Sequence, residues 1–95
     1  MAKVKVIGKG RSGKVQYNEG SLFNTKTCEF YWEIGGGDTL ATVWFPTEGK
    51  WNTHYPWAAE RRKEIMDFVA EEVRKQMAKS STIKWEDDRF HLVSG

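Results

Sequence analysis

Two periods run along this chain. Through residue 45, apolar side chains recur at every second position between glycine-bearing turns. Beyond residue 56 they recur at every third or fourth. Val4 and Val6 alternate with Lys3 and Lys5, and Val15 and Tyr17 alternate with Lys14 and Gln16, the signature of strands with one buried face. A turn at Gly10-Arg11 pairs Val6 with Val15 and Val4 with Tyr17, with glycine at the first central position as a type II′ turn requires. Cys28–Ile34 and Thr39–Phe45 are rich in β-branched and aromatic residues and flank a glycine run, which predicts a second hairpin. A Gly36-Gly37 turn pairs Ile34 with Thr39, Trp32 with Ala41, Phe30 with Val43 and Cys28 with Phe45. Cys28, Phe30, Trp32, Ala41, Val43 and Phe45 then share a core face. Glu29, Tyr31, Glu33, Leu40, Thr42 and Trp44 share the other. Ile83–Glu86 and Arg89–Leu92 form a third hairpin around Asp87-Asp88, in which Trp85 faces Phe90, Ile83 faces Leu92 and Glu86 faces Arg89.

Pro46 ends the second hairpin, because proline cannot donate to a central ladder, and Thr47–Tyr55 reads as a loop. A helix is predicted from about Pro56 to Ala78, with Pro56 in its first turn and Asn52 or Thr53 as the cap by residue type. Its apolar stripe is Ala58, Arg62, Ile65, Phe68, Val69, Val73 and Met77. Glu71 and Lys75 stand at the favourable i,i+4 spacing. Ser80-Ser81 stops the helix. The order ββ-ββ-α-ββ contains no βαβ unit, so the expected class is α+β: an antiparallel sheet of three hairpins against one long amphipathic helix, in a single domain spanning residues 1–95. Phe30, Trp32 and Val43 should project into the same interior as Phe68 and Val69. A helix is about 10 Å across and strands lie about 4.8 Å apart, so one helix covers roughly half of six strands. Either the sheet curls or a second subunit covers the remainder.

Composition narrows the classes. At 95 residues the chain is too short for a kinase, a dinucleotide-binding enzyme or a barrel. With 39% hydrophobic and 14% aromatic residues it has enough apolar surface to fold. No apolar run approaches the ~20 residues of a membrane span, and the first residues lack a signal peptide's apolar stretch. The lone Cys28 can form no intramolecular disulfide. These features predict an intracellular, cytoplasmic protein without a membrane partner. The net charge of +2 hides an asymmetry: residues 1–20 hold five basic side chains against one acidic.

Gly8-Lys9-Gly10-Arg11-Ser12-Gly13-Lys14-Val15 resembles the glycine-rich loop of protein kinases, and the same glycines match the dinucleotide-binding fingerprint. Gly8, Gly13 and Lys14 also match a P-loop, except that Val15 stands where a magnesium-binding Ser or Thr belongs. A phosphate cradle of the last two kinds needs a following helix, whereas Lys14–Tyr17 reads as a strand. The kinase pattern needs a downstream Lys–Glu pair, a catalytic Asp and a metal-binding Asp, which this chain does not supply. The octapeptide is therefore read as a hairpin tip, with Lys9, Arg11 and Lys14 as candidate anion contacts.

Cys28 is expected to point inward as core filler, distant in sequence from His54 and His91. Two His and one Cys without short spacing predict no metal site, and no cofactor motif is present. The most unusual segment is Trp51-Asn52-Thr53-His54-Tyr55-Pro56-Trp57, followed by Arg61 and Arg62. It is either an aromatic ligand pocket built from Trp51, His54, Tyr55, Trp57, Arg61 and Arg62, or a clasp that locks the loop onto the sheet; the clasp is preferred. Tyr31, Leu40 and Trp44 make the outer sheet face more apolar than solvation requires, which marks a partner surface. The expected function is a non-enzymatic interaction module, most simply a homodimer. Nucleic acid stacking on Tyr31 and Trp44 is the alternative, disfavoured by Glu29 and Glu33 on the same face.

Overall fold

A computed structural model describes residues 2–21 and 23–94, and for Lys9 the backbone only. The strands are β1 (Lys3–Lys9), β2 (Ser12–Ser21), β3 (Asn24–Ile34), β4 (Thr39–Trp44), β5 (Thr82–Glu86) and β6 (Arg89–Val93). Two helices, α1 (Glu48–His54) and α2 (Arg62–Met77), and a 3₁₀ turn at Pro56–Ala58 lie between β4 and β5. The strands form one antiparallel sheet in the order β1-β2-β3-β4-β6-β5. The fold is α+β, with an antiparallel sheet packed against a helix.

The first hairpin has the expected register, Val6 opposite Val15 and Val4 opposite Tyr17. So does the third, with Trp85 opposite Phe90 and Ile83 opposite Leu92. In the second hairpin the turn sits one residue later than expected. Gly37 takes φ 60° and the Thr39 N–H reaches the Gly36 carbonyl at 3.1 Å, so Trp32 faces Val43 and Ile34 faces Ala41. The register moves by two, which preserves each side chain's face. Cys28, Phe30, Trp32, Ala41, Val43 and Phe45 are all buried, but Cys28 does not pair with Phe45. Phe45 instead donates its N–H to the Asp88 carbonyl at 2.9 Å. β2 and β3 pair along their length, from Ser12–Glu33 to Ser21–Asn24. The residues between Asn18 and Thr27 lack alternating apolar positions, so their pattern carries no sign of this extension.

The expected loop Thr47–Tyr55 is largely helix, and the expected helix start at Pro56 is a separate turn. Thr47 occupies the cap of α1 with extended dihedrals. Tyr55 precedes a proline, which disfavours the helical region, and α1 stops there with Tyr55 at φ −131°. Neither Asn52 nor Thr53 caps the long helix; Asn52 instead accepts the Glu60 N–H at 3.0 Å. Glu60 adopts φ 66°, which breaks any helix running through Ala58–Arg61, and α2 begins at Arg62. Trp51 helps set this break by donating its indole N–H to the Ala58 carbonyl at 2.9 Å.

The buried stripe of α2 is Ile65, Met66, Val69, Ala70 and Val73. Phe68 lies more than a quarter-turn off its centre and is 38% exposed, so the expectation that it joins the deep core is corrected. It meets Tyr17 edge-on with ring centroids 6.1 Å apart. The expected Glu71–Lys75 pair is replaced by two i,i+3 pairs, Glu71 with Arg74 and Glu72 with Lys75. The interior between helices and sheet holds Phe30, Trp32, Val43, Trp51, Val69 and Phe90 among others.

Candidate functional site

The outer face of the sheet, opposite the helices, follows from strand parity. One cross-strand row runs Ile7, Lys14, Tyr31, Trp44, Arg89 and Glu86. Tyr31 and Trp44 meet with ring centroids 5.7 Å apart, and Trp44 is half-buried beneath this contact. Tyr31 is 46% exposed, Leu40 39% and Ile7 40%. Ile7 ends the first strand as read from the sequence, Lys3–Ile7, but an outer face drawn from the second hairpin alone does not count it with Tyr31, Leu40 and Trp44. A shallow depression of about 390 Å³ lies along Lys14, Glu29, Tyr31, Trp44 and Pro46.

The charges on this face are partly matched. Glu29 accepts from Gln16 at 2.9 Å and lies 3.6 Å from Lys14; the Gln16 hydrogen bond, then Lys14, hold its carboxyl below the usual range. Thr42 is buried and bonds His91 Nδ1 at 2.8 Å, while His91 Nε2 meets Glu86. Lys14 thus turns to Glu29, and Arg11 sits exposed in the hairpin turn, its carbonyl accepting the Ile34 N–H at 2.7 Å. The side chain of Lys9, the third candidate anion contact, lies outside the described residues.

The glycines of the octapeptide have a packing reason. Gly8 and Gly13 face one another and Gly13 faces Trp32. The indole lies over this pair and donates to the Ile7 carbonyl at 2.9 Å. A Cβ at Gly13 would stand 2.0 Å from that carbonyl oxygen and 2.8 Å from the indole nitrogen. The run makes room for a ring, within a hairpin and without a helix behind it.

The aromatic segment has the geometry of a clasp. Trp51 is buried and stacks on Phe30 with ring centroids 6.1 Å apart and planes at 20°. The Tyr55 hydroxyl donates to the Glu29 carbonyl at 2.9 Å and accepts the Glu29 N–H at 3.2 Å, taking the place that β4 leaves empty beside β3. Trp57 is half-buried against the core and His54 is exposed. Arg61 and Arg62 diverge. Arg61 forks onto Glu19 at 3.0 and 2.9 Å and reaches Glu64 at 2.7 Å. Arg62 donates to the carbonyls of Pro46 and Asp87 and lies 5.0 Å over the Phe45 ring. The six candidate pocket residues therefore face different neighbours, although Trp51 and Arg62 both border a recess of about 580 Å³ with Glu48 and Asn52.

Two ionisable groups in the interior are tuned against chemistry. Burial, the dominant cause, pushes the Cys28 thiol up to about 12, so its thiolate is scarce at neutral pH. Burial, then the hydrogen bond to Glu19, raises Tyr17 to about 12. Arg61 and then Tyr17 hold Glu19 below the usual carboxylate range. The sign follows from linkage: a depressed carboxylate adds stability above its unfolded value, lost as pH falls through its folded value. Thermal melts of the wild type should therefore drop faster below about pH 4 than melts of Glu19→Gln. The variant starts lower at neutral pH, and the two should converge in acid; parallel curves would show that the Tyr17–Glu19–Arg61 cluster carries no net linkage. Tyr17 contributes the alkaline counterpart, stability present below pH ~10 and lost as pH rises toward 12.

Among the described residues no group of three or more His, Cys, Asp or Glu could hold a metal ion, and no helix is long and apolar enough to cross a membrane. No protein-family model, curated protein or solved structure matches this chain.

Proposed function

We propose that the chain is a non-enzymatic protein-interaction module of the cytoplasm that associates with a second copy of itself through the outer face of its sheet. The observation that carries this reading is the one-sided covering of the sheet. Both helices lie on one face, while Ile7, Tyr31 and Leu40 stand 39% or more exposed on the other, around the half-buried Trp44. Apolar side chains gathered on one face are a common mark of a partner surface. The burial of Cys28, which pushes its thiol up to about 12, favours binding over catalysis.

Sedimentation equilibrium from about 10 μM to 1 mM tests the reading; burying such a patch should give dissociation constants in or below this range. Tyr31→Ser with Leu40→Ser should weaken association at least tenfold while leaving the melting temperature at low concentration nearly unchanged. A strict monomer throughout would overturn it.

A second reading has one specific observation in its favour. Glu29, which would repel phosphate, is engaged by Lys14 and Gln16, and Lys3, Lys5, Lys84 and Arg89 flank the Tyr31–Trp44 pair by register. Single-stranded nucleic acid stacked on that pair would bind with an affinity that collapses between 50 and 200 mM salt, roughly 10³-fold for six phosphate contacts. Salt-insensitive self-association with no oligonucleotide binding removes this alternative.

A further inference from the structure

The helices do not cover the whole of their own face of the sheet. α2 runs beside β1, where Gln76 Nε2 donates to the Val4 carbonyl at 2.9 Å. Its other flank stops short of β5, at the opposite edge. The uncovered strip is a groove of about 570 Å³ between the start of α1, the first turns of α2 and the β5–β6 turn. Trp85 supplies the exposed apolar part of its lining, above Phe45 and Met66, which are buried in the core at 6% and 2% exposure. Trp85 stands on the helix side of the sheet, edge-on to Phe45 at 6.1 Å, and is nonetheless 46% exposed. The rim carries a slight acidic excess. Lys63 pairs with Asp67 at 2.7 Å, and Arg62 keeps its charge while donating to two backbone carbonyls, but Glu48 and Asp87 both make no ion pair among the described residues.

A second feature answers this one. β2 and β3 outrun their neighbours, since β1 reaches only Asn18 and β4 only Tyr31. Residues 19–21 and 24–26 form a two-stranded arm paired only with itself. Phe23, at its tip, is 94% exposed, far more than any other large apolar side chain described. Lys26 is exposed on the arm and makes no ion pair among the described residues; Glu19, opposite it, is engaged by Arg61. Arm and groove open at the same end of the sheet, where β3 begins, β4 ends and the β5–β6 turn lies.

From this juxtaposition we infer that a second copy of the chain fills the groove. Phe23 of each copy packs on the exposed ring of Trp85 of the other, and Lys26 faces Glu48 and Asp87. Because arm and groove share one end of the sheet, a single two-fold axis between them satisfies both contacts at once. The exchange closes as a dimer instead of propagating as a filament. The apolar tip meets an apolar lining, and the unpaired base meets unpaired acids. This contact is separate from the sheet-face contact proposed above and does not depend on it.

Sedimentation equilibrium of the full chain, with variants that leave the folded monomer intact, tests the inference. Phe23→Ser removes a side chain already in water, so its melting temperature at low concentration should match wild type, while its dimer dissociation constant rises at least tenfold. Lys26→Glu should weaken the dimer, and mixing it with Asp87→Lys should restore heterodimers. If Phe23→Ser and Lys26→Glu associate as tightly as wild type while the Tyr31/Leu40 double variant does not, the arm contact is overturned and the sheet-face reading stands. The reverse pattern upholds the arm and removes the sheet face. A wild type monomeric at 1 mM overturns both.

Discussion

Trp51→Ala should cost the folded chain about 3–5 kcal/mol, the range for truncating a buried tryptophan to alanine. At roughly 4–8 °C per kcal/mol for a domain of this size, the melting temperature should fall by about 12–40 °C. The size of the effect comes from what one ring connects. Trp51 is 1% exposed, stacks on Phe30 of β3, touches Tyr55 at 4.9 Å between centroids, and holds the Ala58 carbonyl. Its loss opens a cavity beneath α1, leaves a seven-residue helix too short to stand alone, and frees the break that starts α2 at Arg62. Trp51→Phe separates these roles. It keeps an aromatic ring on Phe30 and loses only the indole N–H, so it should cost about 1–2 kcal/mol, a hydrogen bond plus partial loss of volume. Denaturant melts of the two variants check the difference. Equal costs would mean that the hydrogen bond to Ala58, and not the packing, dominates.

The same residue shows where the sequence was legible and where it was not. Strand faces could be read because the side-chain period is two: the second hairpin's turn was placed one residue early, yet every one of its core residues was assigned to the correct face. The Gly10-Arg11 and Asp87-Asp88 turns fixed their registers outright because short hairpin loops leave no freedom for slip. The helical region was harder. Ala58, Ala59, Glu60 and Arg61 all favour helix, so nothing local announces the positive φ at Glu60 or the start at Arg62; the bonds that hold the break reach it from α1, with Trp51 Nε1 donating to the Ala58 carbonyl and Asn52 Oδ1 accepting the Glu60 N–H. α1 was hidden by Gly49 and by having a single buried anchor, Trp51, too few to show a period. Phe68 was assigned to the core by spacing alone, although a stripe centred on Val69 and Val73 leaves it on the rim. Of the candidate contact surface, Tyr31, Leu40 and Trp44 followed directly from strand parity. The arm did not, since residues 18–21 and 24–27 are polar on both faces; the β2–β3 ladder holds it, with Thr27 Oγ1 donating to Asn18 Oδ1 and Thr25 Oγ1 to the Ser21 carbonyl. Nor did the groove, whose lining draws on three separate segments of the chain.

The glycine octapeptide gives the other large effect, and it separates a packing role from a phosphate role. Gly13→Ala should destabilise by at least the ~1–3 kcal/mol usual for forcing extra atoms into a packed site. The added Cβ would meet the Ile7 carbonyl oxygen at 2.0 Å and the Gly8 Cα at 2.7 Å, both backbone atoms, and the Trp32 indole nitrogen at 2.8 Å. The indole can swing away only by giving up its hydrogen bond to Ile7. The backbone contact cannot be relieved without parting β1 from β2. A double-mutant cycle with Trp32→Leu makes this quantitative. Trp32→Leu alone should cost about 2–4 kcal/mol through lost ring packing and the orphaned carbonyl. The Gly13→Ala penalty should shrink in that background but persist, because the Ile7 oxygen remains in place. A phosphate cradle predicts something else: normal stability for Gly13→Ala and a thermal shift of wild type on adding nucleoside triphosphate. Denaturant melts of the four cycle members, with and without the nucleotide, decide the matter. The expected result is a destabilised Gly13→Ala, a positive but incomplete rescue by Trp32→Leu, and no nucleotide shift, which follows from a tip that serves to seat one indole ring across two strands.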